Sequence, residues 1–131
     1  MKIYCVQNDI AWEDKSATCQ RVGNLLDQTA PEPGSLVLLP EMFATGFSMD
    51  VSAVREGRGR ETERFLARRA RQHEVFLMGG VVTNKANGRG QNQAVIFSPA
   101  GQELARYTKM QPFTAGGEAD AYDAGRSNWV T

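Results

Sequence analysis

The run Ser35-Leu36-Val37-Leu38-Leu39 constrains this chain more than any other. It is apolar at consecutive positions, and Pro33-Gly34 and Pro40 bracket it. A short continuous apolar run between such breakers reads as a strand buried within a sheet, not as an amphipathic helix. Residues 2–8, with Tyr4 and Val6 beside Ile3 and Cys5, form another run able to be buried on both faces.

Between these two runs the pattern changes period. Asp14 offers a helix N-cap, and Cys19, Val22, Leu25, Leu26 and Thr29 follow at helical spacing until Pro31, Pro33 and Gly34 stop it. Residues 44–59, punctuated by Gly46, Gly57 and Gly59, read as loop. A second helix is predicted over 60–73 with Phe65, Leu66, Ala67 and Ala70 inward. Strands are predicted over 75–82, 93–97 and 102–107, with turns at 87–90 and 99–101. The order β-α-β-α-β-β-β predicts an α/β fold, a mixed sheet with helices on one face. No repeat or linker divides residues 1–131, so they read as one unit.

Composition removes several function classes. Fifteen basic side chains balance fifteen acidic ones, which argues against a protein built to grip nucleic acid or an anionic membrane. The arginines at 55, 58, 60, 64, 68, 69 and 71 are interleaved with Glu56, Glu61, Glu63 and Glu74, with Glu56–Arg60 and Glu61–Arg64 at pairing distance on a helix. They read as a solvated helix face. No apolar run approaches the roughly 20 residues that span a bilayer, and the N-terminus lacks the pattern of a signal peptide. Cys5 and Cys19 have neither zinc-like nor redox spacing and read as reduced, buried thiols of a cytoplasmic protein. His73, with no nucleophile motif near it, reads as a surface residue.

One carboxylate and one lysine stand out as candidates for chemistry. Glu41 lies just past the end of the Leu36–Leu39 strand, where a strand end holds it firmly and a loop leaves it reachable. Burial among Leu39, Met42 and Phe43 would raise its pKa, as suits a general base. Lys109 ends the last predicted strand, and a lysine there suits the stabilisation of an oxyanion.

The strings around these residues are specific. The eleven residues Leu39-Pro40-Glu41-Met42-Phe43-Ala44-Thr45-Gly46-Phe47-Ser48-Met49 resemble the glutamate motif of the omega-amidase-like branch of carbon–nitrogen hydrolases, the nitrilase superfamily. Tyr107-Thr108-Lys109-Met110-Gln111-Pro112-Phe113 is similar to that family's lysine motif, with Gln111 where many members carry histidine. The segment from Phe113 to Gly125 resembles the loop that supplies an accessory glutamate, a role the resemblance gives to Glu118. Asn92, Val95, Ile96, Pro99 and Gly101 echo the strand and turn before the lysine and are taken as scaffold.

The resemblance implies a four-layer α-β-β-α sandwich and hydrolysis of a non-peptide amide by a Glu-Lys-Cys mechanism, without metal or organic cofactor. It implies catalytic roles for Glu41, Lys109 and Glu118, and places Phe43, Phe47 and Phe113 near a small-molecule amide substrate. In the family the cysteine follows the lysine by some tens of residues. Here Ser127–Thr131 reads only as the start of an earlier strand, and Cys5 and Cys19 are poor substitutes. The expectation is therefore an incomplete sandwich, inactive alone, with an apolar sheet face open to water. Such a face would be closed in a homo-oligomer or by a partner supplying the missing half. The alternative reading is a non-catalytic binding or self-associating protein that keeps the half-fold.

Overall fold

The computed structural model describes residues 1–126. Strands β1 (Ile3–Cys5), β2 (Leu36–Leu38), β3 (Phe76–Asn84), β4 (Gly90–Phe97) and β5 (Glu103–Thr108) form one sheet in sequential order. The first three strands are parallel, while β4 and β5 continue antiparallel. Parallel neighbours need crossovers. Helix α1 (Lys15–Thr29) makes the first, and α2 (Val51–Val54) and α3 (Glu61–His73) lie along the second. The mixed α/β sheet is as expected. The short α2 inside the segment read as loop is new, and its cap explains it: the Asp50 side chain accepts the N–H of Ala53. The strand start expected at residues 127–131 lies outside the described residues.

One face of the sheet holds the core. Val22 and Leu26 of α1 and Phe65, Leu66 and Ala70 of α3 pack on Val37, Leu77, Val81, Val95 and Phe97. Asp14 caps α1 as predicted, accepting from Ala17 N–H, but Thr29 at the helix end is exposed and Cys19 only half-buried. Helix α3 has no cap from its own first residues. Instead the buried Glu56 carboxylate accepts the N–H groups of Thr62 (2.9 Å) and Glu63 (3.4 Å), placing negative charge at the helix N-terminus. This replaces the expected Glu56–Arg60 pair: the helix begins after Arg60, so the two do not share a helix face. Lys15 of α1 approaches Glu56 (3.4 Å) and Glu61 (3.8 Å), tying the helices together. His73 is no surface residue either, since its ring packs 3.1 Å from Asp27 with 11% of its side chain exposed.

The opposite face is open. Strand alternation turns Ile3, Cys5, Leu36, Leu38, Phe76, Met78 and Ile96 to this side, and the strand register sets them in rows. None is buried, and Ile3 is 58% exposed. Cys5, expected to be buried, is therefore exposed, because nothing within residues 1–126 covers the face onto which its alternation points it.

Only one end of this second face is covered. There Met42, Val51 and Val54 pack with Val82 of β3 and Tyr122, which follows the short helix α4 (Glu118–Ala121). The chain leaving β2 runs so close over β3 that a Cβ on Gly80 would lie 2.3 Å from the Met42 nitrogen and 3.2 Å from the Glu41 Cα. Met42 itself takes a left-handed backbone (φ 47°), uncommon for such a residue, and is held there by full burial and by the Thr45 and Gly46 N–H groups on its carbonyl.

Arg89, in the β3–β4 hairpin, fastens α4 to the sheet. It donates to the carbonyls of Ala119, Asp120 and Tyr122 and to the Asp123 carboxylate. Lys85 and Asn87 also donate to Asp123, and together these hydrogen bonds hold its pKa down at about 2.

Two outcomes follow from these contacts. Gly80→Ala forces the Glu41–Met42 backbone off the sheet and lowers stability by about 1–3 kcal/mol, the usual range for overpacking, read as a fall in the urea midpoint at unchanged slope. Asp123 gives a stability contribution complete above the ordinary aspartate value of 3.8 and lost as pH falls toward about 2. Asp123→Asn removes that part of the acid limb. Melting curves from pH 5 to 2 that run parallel in both proteins would count against the clasp.

Candidate active site

Three chain segments meet at the covered end of the open face. Glu41 follows the C-terminal end of β2, Lys109 follows the C-terminal end of β5, and Glu118 opens α4. Because β5 runs parallel to β2 through two antiparallel steps, both strands deliver their last residues to the same end of the sheet. The strand order puts β3 and β4 between them, and the side chains close the gap.

The Lys109 ammonium bridges the two carboxylates, 2.8 Å from Glu41 Oε1 and 2.7 Å from Glu118 Oε2. Glu118 is fully buried. Burial alone would push its pKa up, yet hydrogen bonds from Asn92, Lys109 and the Phe113 N–H outweigh it and hold the carboxyl below the ordinary glutamate value. Burial likewise works against the charge on Lys109, and its hydrogen bonds to Glu118 and Glu41 overcome that and raise its pKa. The lysine is thus a fixed cation.

Glu41 differs from its partner. The apolar residues around it, Leu39, Met42 and Phe43, are buried as expected, but its own side chain is 49% exposed. The reversed turn at Met42 aims it outward instead of into the core, so the apolar pocket expected around the carboxylate is not there. One carboxylate is locked and the other accessible.

The three predicted phenylalanines part company. Lys109 Nζ lies 5.1 Å from the centre of the Phe47 ring, so Phe47 walls the cluster. Phe113 contributes its backbone N–H to Glu118 while its ring stands 58% exposed. Phe43 is not at the site at all: it is fully buried in the core, its ring 6.2 Å from that of Phe65, because the left-handed step at Met42 separates it from Glu41. No substrate can touch it there.

Asn92, read from sequence as scaffold, belongs to the cluster. Its side-chain amide donates to Glu41 Oε1 (2.6 Å) and to Glu118 Oε1 (2.8 Å). A signal was available: it is a polar residue on the same face of β4 as Ala94 and Ile96, at the strand end that meets Lys109. Tyr122 was also passed over. Burial and the nearby Glu118 and Asp50 hold its phenol above the ordinary range, so it is a neutral donor, and it ties α4 to the glutamate loop through Ser48 O (2.6 Å).

Neither cysteine of the sequence joins this group. Cys5 lies on edge strand β1. Cys19 lies on α1, across the sheet, where burial pushes its thiol up to about 11. Among the described residues no helix is long and apolar enough to cross a membrane.

Known proteins carry the same arrangement of chain. The chain is 30% identical over 132 aligned positions to an omega-amidase of Yersinia enterocolitica, covering 99% of this chain and 49% of that protein. It is 26% identical to a 2-oxoglutaramate amidase of Bacillus subtilis over 85% of this chain and 43% of the relative. It thus spans about half the length of the curated relatives it matches. Among solved structures, a CN-hydrolase superfamily protein of Xanthomonas campestris, with an arsenic adduct in its active site, superposes with a TM-score of 0.83 at 28% identity. That match covers 95% of this chain and 46% of the other. An amidase of Nesterenkonia shares the fold at a TM-score of 0.82 and 18% identity, over 97% of this chain and 50% of its own. The carbon-nitrogen hydrolase sequence pattern matches residues 2–127, nearly the whole chain, which therefore belongs to the carbon-nitrogen hydrolase family.

Proposed function

We propose that this chain supplies the base and the oxyanion-stabilising cation of an omega-amidase-like hydrolase, and that the nucleophilic cysteine comes from polypeptide other than residues 1–131. The observation that carries this reading is the Lys109 ammonium held between one locked and one accessible carboxylate. In the reaction, Glu41 takes the proton of a cysteine thiol as the sulfur electron pair forms a bond to the amide carbon. Charge that develops on the carbonyl oxygen is met by Lys109, already in place and charged. The tetrahedral intermediate then breaks its C–N bond, and the nitrogen leaves as ammonia carrying the proton returned by Glu41. Water, deprotonated by the same carboxylate, attacks the thioester, releasing the acid and returning the thiol. Glu118, buried and out of contact with solvent, keeps Lys109 in position. The names of the omega-amidase and 2-oxoglutaramate amidase relatives favour a short dicarboxylic-acid monoamide as substrate.

The test is ammonia release from such monoamides by the hydrolase as its source cell makes it. Glu41→Gln and Lys109→Ala are each expected to lower kcat by about a hundredfold or more, with the fold retained. Turnover that survives both substitutions rejects the assignment.

The open sheet face favours a companion reading for the 131-residue chain on its own: it associates with a second copy through Ile3, Leu38, Met78 and their neighbours. Light scattering should give a mass above 14.4 kDa that falls toward it in Ile3→Lys. A monomer at high concentration in the unsubstituted chain excludes this.

A further inference from the structure

Asn92 has no part in the chemistry just described, yet it touches every member of the cluster. It is 4% exposed on β4. Its backbone carbonyl accepts the Lys109 N–H (2.9 Å), fixing the point where the lysine leaves β5. Its side-chain amide has two protons, and both are engaged, one on Glu41 Oε1 and one on Glu118 Oε1. Glu118 Oε2 takes Lys109 and the Phe113 N–H. Glu41 Oε1 takes Lys109 as well as Asn92. Among the described residues, Glu41 Oε2 receives no donor.

From this distribution of donors we infer that Asn92 is a positioning residue that selects Glu41 Oε2 as the basic oxygen: with two donors on Oε1, the carboxylate cannot rotate without losing both, and Oε2 alone remains to accept a thiol proton. The inference rests on the Glu-Lys-Cys reading above. The role needs an amide. Aspartate has nearly the same shape but offers no donor at neutral pH and sets a third carboxylate against the first two. Serine is smaller, neutral, and can satisfy one carboxylate only. The charged groups facing position 92 are Glu41 from the loop after β2, Glu118 from α4 and Lys109 from β5. Its neighbour on β3, Val82, carries none.

The experiment compares Asn92→Asp and Asn92→Ser with the unsubstituted hydrolase at its native length, alongside Glu41→Gln and Lys109→Ala. Both Asn92 variants should lower kcat by about tenfold to a hundredfold, the loss expected for a hydrogen bond to a charged group, with KM little changed. In Asn92→Asp the acidic limb of the pH–rate profile should also move to higher pH, since three carboxylates then share one cation; in Asn92→Ser it should not move in that direction. Serine keeps the assay open if aspartate prevents folding. If both variants keep kcat within twofold and an unchanged profile while Glu41→Gln and Lys109→Ala are inactive, the positioning role is wrong and the Glu-Lys reading stands. If Glu41→Gln and Lys109→Ala are themselves active, that reading fails first. Carboxyl-carbon NMR titration then decides the role of Asn92: Glu41 and Glu118 curves that Asn92→Ser leaves unmoved overturn it.

Discussion

A single ammonium shared by two carboxylates organises this molecule. Lys109 joins the end of β5 to the loop after β2 and to α4, elements far apart in sequence. Its environments on the two sides are unequal. Glu118 is buried and takes three donors, so its charge is stabilised against desolvation. Glu41 is half exposed and both its donors fall on one oxygen. The pairing therefore locks one carboxylate and leaves the other accessible. Two like charges this near each other persist only because the cation lies between them.

Supporting contacts keep that arrangement from relaxing. Gly80 admits the Glu41–Met42 backbone where any side chain would collide with it. Met42 is held in a left-handed conformation by burial, with Glu41 turned outward before it and Phe43 inward after it. Arg89 gathers the carbonyls at the end of α4, and Tyr122 reaches from there to Ser48. A cluster of three flexible side chains carries considerable rotamer entropy, and these backbone anchors reduce what must be ordered when the ion pairs form.

What the sequence disclosed follows from where the information lies. The succession of strands and helices along the chain and the Asp14 cap are legible because they depend on local periodicity and local hydrogen bonds. Glu41, Lys109 and Glu118 were readable from their surrounding strings, although those strings could not give distances. The errors were of another kind. Glu56 and Arg60 have helical pairing distance in sequence, but the chain between them is not helical, and Glu56 instead caps α3. Cys5 was taken as buried because its neighbours are apolar, whereas its exposure depends on what covers a sheet face. The sequence reads Asn92 as scaffold and Phe43 as substrate-facing, yet Asn92 lies in the cluster and Phe43 in the core. In both cases tertiary register and one backbone reversal, neither visible locally, set which way the side chain points.

The open face and the site are two aspects of one constraint. The strands that deliver Glu41 and Lys109 present Leu38 and Tyr107 on the same surface, one pleat below the cluster. Whatever layer covers those apolar rows must approach to within ordinary sheet-packing distance, about 10 Å. Such a layer would form a wall of the site as well as a cover for the sheet. Packing and electrostatics are coupled here: a surface that buried Ile3, Leu38 and Met78 would also exclude water from Lys109 and raise the electrostatic worth of its charge. Among the described residues Glu41 Oε2 receives no donor, and the side chain that carries it is 49% exposed.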